Sequence, residues 1–76
     1  MKSLKNKLIK FVISNVGKKI KDIDDFKLKL QSAISLLSFD CKIGEIYELN
    51  NTIGGDILYM EESTPIVITF HISISQ

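Results

Sequence analysis

The sequence predicts an α+β fold in which two N-terminal helices, forming a hairpin, pack on one face of a three-stranded antiparallel β-meander. Three observations predict the order ααβββ. Apolar residues keep helical spacing as far as Leu37, the period changes after Ser38, and the last segment alternates strictly between apolar and polar residues. With 76 residues, 45% of them hydrophobic, residues 1–76 are expected to form a single small domain.

Residues 3–16 have the spacing of an amphipathic helix. At about 100° per residue, one side of this helix is apolar and is expected to face the core. That side carries Leu4, Leu8, Phe11, Val12 and Val16, with Ile9 beside them. Gly17 is well placed as a C-terminal cap, and Lys18 and Lys19 lie near the negative end of the helix dipole.

A second helix is predicted to begin after Asp22, whose side chain suits an N-cap. Asp24 and Asp25 would then lie in the first turn, where the helix dipole favours negative charge. The apolar residues with helical spacing are Ile23, Phe26, Leu30, Ala33, Ile34 and Leu37. The short link predicts an antiparallel helical hairpin, with a bent continuous helix as the alternative.

A strand is predicted near residues 42–50. Phe39, Cys41 and Ile43 alternate with polar neighbours, and Gly44 then interrupts the pattern, which indicates a β-bulge. A helical turn over 45–51 is the alternative. Gly54–Gly55 suits a two-residue hairpin turn, so that residues 56–61 form the returning strand.

The final segment, from Pro65 to Ser75, gives the clearest prediction. Its apolar face consists of Ile66, Ile68, Phe70, Ile72 and Ile74. Its other face consists of Val67, Thr69, His71, Ser73 and Ser75. Alternation with period two in β-branched residues is typical of a half-buried strand, and Pro65 fits its first position.

The net charge of +1 hides a strong asymmetry along the chain. Residues 1–29 contain nine lysines and three aspartates, a net charge of +6, whereas residues 30–76 contain one lysine and six carboxylates, a net charge of −5. Such a division shapes the surface field. There is no arginine, so phosphate groups would be met by point charges without bidentate contacts.

Targeting and redox features favour a cytoplasmic protein. The lysine-rich start resembles a signal peptide, but Lys10 interrupts the apolar stretch that follows and no small-residue cleavage site is visible. No run approaches the ~20 apolar residues of a membrane span. Cys41 is the single cysteine, so we expect a reduced thiol and no internal disulfide.

No catalytic, metal or cofactor motif is found, and we therefore expect neither an enzyme nor a bound cofactor. His71 has no second histidine or cysteine at ligand spacing and is interpreted as a surface residue. Cys41 is interpreted as a small buried residue. A reactive Cys41–His71 pair is the weakest alternative, and the acidic run Asp22–Asp25 lacks the spacing of a calcium loop.

The acidic half favours a non-catalytic protein-interaction module. It would resemble a small inhibitor or an immunity-type protein, which binds and blocks another macromolecule. The candidate partner-binding residues are Glu45, Tyr47, Glu48, Asp56, Tyr59, Glu61 and Glu62. Carboxylates and tyrosines on a rigid sheet would suit a basic partner protein.

The alternative is a nucleic-acid or anionic-surface binder that uses the lysine-rich helical half. Its candidate basic patch consists of Lys7, Lys10, Lys18, Lys19 and Lys21. Aromatic residues do not interleave with these lysines, which weakens the case for single-stranded nucleic acid. A homodimer formed by strand pairing through residues 65–75 is a further expectation, because that segment carries no charged guard residue.

Overall fold

The computed structural model describes residues 4–74 and has the predicted order ααβββ. The two helices and three strands are α1 (Leu4–Val16), α2 (Ile23–Ile34), β1 (Cys41–Leu49), β2 (Thr52–Glu61) and β3 (Thr64–Ser73). The strands form one antiparallel sheet in the order β1-β2-β3, so β1 and β3 are its edges. Ser3 and Ser75, which the sequence prediction included, lie outside the described residues.

The start of α2 follows the sequence prediction closely. Asp22 is its N-cap and accepts a hydrogen bond of 2.8 Å from the backbone N–H of Asp25. Asp25 in turn accepts from the backbone N–H of Lys21 and pairs with Lys29 one turn later. These two contacts, in that order, hold the pKa of the Asp25 carboxyl below its usual value, which favours the charged form at this helix start.

Gly17 follows α1, but it is not a left-handed cap. None of the glycines in the described residues has positive φ. A Cβ added to Gly17 would lie 2.9 Å from the Cδ1 of Ile72 and 3.0 Å from its Cγ2. The small size of glycine therefore lets the end of α1 approach β3 closely, and a larger residue here would displace the Ile72 side chain.

The buried face of α1 is rotated from the predicted one. Ile9 and Ile13 are its buried residues, whereas Leu4 is 72% and Phe11 is 66% exposed. Val12 and Val16 pack against the core as expected. The helix carries two neighbouring apolar stripes, and the sheet covers the one that contains Ile9 and Ile13.

The first hairpin turn lies at Asn50–Asn51 and not at the predicted Gly54–Gly55. Asn50 and Asn51 have φ of 52° and 62°, the left-handed pair that a tight hairpin turn requires. Gly54–Gly55 lies inside β2, so the returning strand begins at Thr52 and not at Asp56. The expected bulge near Gly44 is present, because the β1–β2 register shifts between Ile43 and Ile46. The alternative of a helical turn over 45–51 is therefore wrong.

The core is a single layer between the helices and one face of the sheet. The phenyl rings of Phe26 on α2 and Phe70 on β3 lie 5.7 Å apart between centroids, at 52° to each other. The most completely buried side chains are Phe26, Ile9, Leu30, Ile53 and Ile57. The alternation of β3 is confirmed, since Ile66, Ile68, Phe70 and Ile72 all belong to this core side. No helix within residues 4–74 is long and apolar enough to cross a membrane.

Truncating Phe70 to alanine is expected to lower the free energy of unfolding by about 3–5 kcal/mol, because the change removes a buried ring and leaves a cavity beside Phe26. Urea unfolding followed by circular dichroism measures the difference. Val67→Ala on the exposed face of the same strand is the control, with an expected loss within about 1 kcal/mol. Equal losses for the two variants would contradict the assignment of Phe70 to the core.

The adjacent glycines of β2 are expected to respond differently to alanine. A Cβ on Gly55 would lie 2.6 Å from the backbone oxygen of Glu45 and 2.9 Å from the ring of Phe70. Gly55→Ala should therefore destabilise by about 1–3 kcal/mol. The atoms nearest to a Cβ on Gly54 belong to the ring end of Tyr47, an exposed side chain that can turn aside by giving up its contact with His71, so Gly54→Ala should cost less. Thermal unfolding of both variants checks this order, and a larger loss for Gly54→Ala would reject it.

Candidate interaction surfaces

The sheet has helices on one face only, and the opposite face is here called the outer face. Strand alternation and the register define its members. They are Lys42, Tyr47, Leu49, Thr52, Gly54, Asp56, Leu58, Met60, Pro65, Val67, Thr69, His71 and Ser73. No described helix covers this face, so its side chains are open to solvent or to a partner.

An apolar group lies where β2 and β3 approach their connecting turn. Leu58 pairs directly with Val67, and Met60 pairs with Pro65 in the adjacent row. Leu58, Met60 and Val67 are 38%, 45% and 59% exposed. We call these four residues the outer block, a continuous apolar surface built from two neighbouring cross-strand pairs.

The sequence prediction of binding residues missed the outer block. The signal was present in Ile57–Met60, where four apolar residues follow one another without a polar partner. A continuous apolar run in a strand indicates that both faces are apolar, whereas alternation indicates one. Ile57 and Tyr59 point into the core, so Leu58 and Met60 must point outward.

A second group on the outer face crosses all three strands in one row. Tyr47, Gly54 and His71 are direct register partners. Because Gly54 has no side chain, the Tyr47 ring lies across β2 and its hydroxyl oxygen comes within 3.4 Å of the Nε2 of His71. This packing fixes an aromatic ring on the outer face, where Tyr47 is still partly exposed.

The predicted acidic residues are partly brought together at the β1 bulge. The carboxylate of Asp56 accepts a hydrogen bond of 3.2 Å from the backbone N–H of Glu45. This hydrogen bond to Asp56 stabilises the bulge, at which the side chain of Glu45 is exposed. Glu48 is exposed on the same strand, next to Tyr47. Glu45, Glu48 and Asp56 therefore give this part of the sheet an acidic character.

The remaining predicted residues lie elsewhere. Glu48 is opposite Ile53, and Glu61 is eight positions further along β2, roughly 27 Å at the rise of an antiparallel strand. Glu61 faces the helices and pairs with Lys5 at 4.0 Å. Glu62 is exposed in the β2–β3 turn with φ of 59°. The predicted carboxylates therefore form two groups at opposite ends of the sheet.

Tyr59 does not belong to any surface. It is 3% exposed and contributes to the core, where its ring packs edge-on against Phe39. Its hydroxyl accepts a hydrogen bond of 3.4 Å from the amide of Asn6 on α1. The expectation that Tyr59 stands among the carboxylates is wrong, because the alternation of β2 points it inward.

The predicted basic patch spreads over the helical half. Lys7 is exposed on α1, and Lys18, Lys19 and Lys21 are exposed in the link between the helices. Within the described residues, none of these four side chains forms an ion pair. Lys10 joins Lys18 and residues 68–72 in lining an open groove of about 460 Å³ between α1 and β3. The lysines therefore form a broad basic surface and not one compact cluster.

The edge position of β3 allows strand pairing with a second copy of the chain, which stays a prediction. The strand Thr64–Ser73 contains no lysine, aspartate or glutamate that would oppose pairing with another strand, and one of its edges has no partner strand among the described residues. Twofold pairing would bring the groove lysines, Lys10 and Lys18, of both copies towards each other. Like charges at this seam oppose the homodimer.

Cys41 and His71 do not form a reactive pair. Cys41 is opposite Tyr59 on the core side of β1, whereas His71 is opposite Gly54 on the outer face of β3. The two lie on opposite faces and on the two edge strands, so their side chains cannot meet. Within residues 4–74, no group of three His, Cys, Asp or Glu side chains is arranged to hold a metal ion.

The thiol of Cys41 is expected to react slowly with alkylating reagents at neutral pH. Burial raises the pKa of this thiol, and the neighbouring charge of Asp40 raises it further, so less thiolate is present. Iodoacetamide labelling followed by mass spectrometry should be slower in the folded protein than in urea. Asp40→Asn should accelerate labelling, whereas Glu48→Gln, seven positions along the chain, should not. Identical rates for the native protein and Asp40→Asn would exclude the charge effect.

Known proteins add no further guide to the function of these surfaces. No family model, curated protein or solved structure matches the chain. The functional interpretation therefore rests on the chemistry of the outer face and of the helical half, and no family is assigned.

Proposed function

We propose that this chain is a non-catalytic protein-interaction module that binds a basic protein through the outer face of its sheet. Its action would be that of a small inhibitor or immunity-type protein, which binds another macromolecule and blocks it. We place this interaction in the cytoplasm, where the free thiol of Cys41 would stay reduced.

The observation that carries the proposal is the uncovered outer block. A sheet face open to water normally alternates to polar residues, yet here two adjacent cross-strand pairs are apolar and exposed. Contiguous apolar surface with a polar surround is typical of binding sites. Met60 and Tyr47 are also residue types enriched at interfaces, and the Tyr47 ring is already held in place across Gly54.

Charge at the edges of the outer face supports a basic partner. Asp56 lies on the face itself, Glu45 is exposed at the bulge near Tyr47, and Glu62 is exposed in the turn beside the outer block. Glu48 is exposed on the other side of β1, close to the edge of the face. Lys42 is the one lysine on this face among the described residues. Carboxylates at a rim contribute mainly to the rate and selectivity of association, while the apolar centre holds the complex together.

The proposal predicts that polar replacements in the outer block abolish capture of the partner. Met60→Gln and Val67→Thr keep approximate shape and, for threonine, strand preference while removing apolar surface. The immobilised native protein, the double variant and a Leu36→Gln control on the helical half would each be exposed to lysate of the native host, with quantitative mass spectrometry. One basic protein should be retained by the native chain and by the control, and lost by the double variant.

Two results of this capture experiment would contradict the proposal. Equal recovery by all three proteins, or retention only of acidic proteins, would exclude the outer face as a site for a basic partner. Sedimentation of the purified chain gives a further check, because self-association lost in the double variant would assign the face to a second copy. With the partner in hand, reversing Glu45, Glu48 and Glu62 to lysine should slow association and weaken its salt dependence.

A further inference from the structure

The helical layer exposes a second set of apolar side chains, in one group on α1 and one on and just after α2. On α1 the spacing of Leu4, Leu8 and Phe11 places them on one stripe, and this stripe is the one that the core leaves uncovered. Leu28 of α2 and Leu36, two residues beyond the end of that helix, are 67% and 87% exposed and line one shallow depression. We call these five residues the helical crest.

The helical half that carries the crest is rich in lysine. Residues 4–29 contain eight lysines against three aspartates. Two of those aspartates have structural partners, since Asp22 caps α2 and Asp25 pairs with Lys29. Lys7, Lys18, Lys19, Lys21 and Lys27 are exposed and form no ion pair within the described residues. The helical half therefore combines exposed leucine and phenylalanine side chains with an excess of positive charge.

We propose that the helical crest binds an anionic membrane surface, with α1 and α2 lying in the plane of the lipid headgroups. Leucine and phenylalanine on one stripe with lysines beside them is the pattern of helices that lie at a bilayer interface. The apolar side chains would enter the boundary with the acyl chains, and the long lysine stems would extend outward to the phosphates. This site lies on the helices, and it does not depend on the outer face of the sheet.

The residue types favour lipid over protein or nucleic acid as the occupant. Lysine is depleted at the centres of protein interfaces, where arginine and aromatic residues are enriched, and this layer has no arginine. Nucleic acid would use the lysines but would gain nothing from exposed Leu4, Leu28 and Leu36. A fluid lipid surface accommodates scattered apolar side chains and mobile lysines together.

Vesicle co-sedimentation of the full chain tests this site. The native protein should bind vesicles of phosphatidylcholine mixed with phosphatidylglycerol, bind pure phosphatidylcholine weakly, and be released as salt increases. Phe11→Gln combined with Leu28→Gln should reduce binding at least about tenfold, because two apolar side chains are lost from the contact. Met60→Gln on the outer face is the matched control and should bind as the native protein does.

The variants also separate the competing explanations. Glutamine keeps helix preference, far-UV circular dichroism checks the fold, and Leu36→Gln, beyond the end of α2, gives an independent loss of binding. Lys7→Gln with Lys18→Gln should weaken binding to the anionic vesicles as well. No binding of the native protein to anionic vesicles would overturn the proposal. So would native-level binding by the Phe11/Leu28 variant, which would indicate a polyanion site of lysines alone, or an equal loss in Met60→Gln.

Discussion

The contact between Phe26 and Phe70 is the interaction on which the rest of the molecule depends. It joins the first turn of α2 to the edge strand β3, across the one layer of apolar side chains that the described residues bury. Ile53 and Ile57 on the central strand complete that layer beneath the helices. A chain of this length buries a modest fraction of its surface, so its stability is concentrated in this layer.

A single core layer leaves two large faces without cover. Two helices are enough to shield one face of a three-stranded sheet, and nothing in residues 4–74 shields the other. Both uncovered faces carry exposed apolar side chains, but their charges differ, because the basic and acidic halves of the chain fold into opposite layers. The arrangement of the chain in one helical layer and one sheet layer therefore forms the core and leaves two outer surfaces of different chemistry. We assign different partners to these two surfaces.

Sequence patterns predicted the order of the elements and the β1 bulge. They gave the wrong answer at the first hairpin turn and for the buried face of α1, where two patterns fitted the sequence equally well. Asn50–Asn51 and Gly54–Gly55 both tolerate a tight hairpin turn. Only the structure shows why the glycines lie inside the strand, since the Tyr47 ring approaches Gly54 and the Glu45 backbone approaches Gly55. The two apolar stripes of α1 are equally periodic, so spacing alone cannot tell which one the sheet covers.

For the candidate surfaces, the acidic end was predictable from charge. The outer block had a signal in the apolar run Ile57–Met60, but this run does not tell which of its residues face the core, and the burial of Tyr59 follows only from the packing of β2 against the helices.

The central claim is that one layer is buried and that both outer faces are open. Methyl NMR spectra recorded with a soluble paramagnetic agent test it directly, because broadening reports the exposure of each methyl group to solvent. The structure predicts strong broadening for Leu4 on the helical crest and Leu58 on the outer block, and protection for Ile9 and Ile57. Protection of Leu4 with broadening of Ile9 would mean that α1 presents its other stripe to the sheet, and it would contradict this arrangement of core and surfaces.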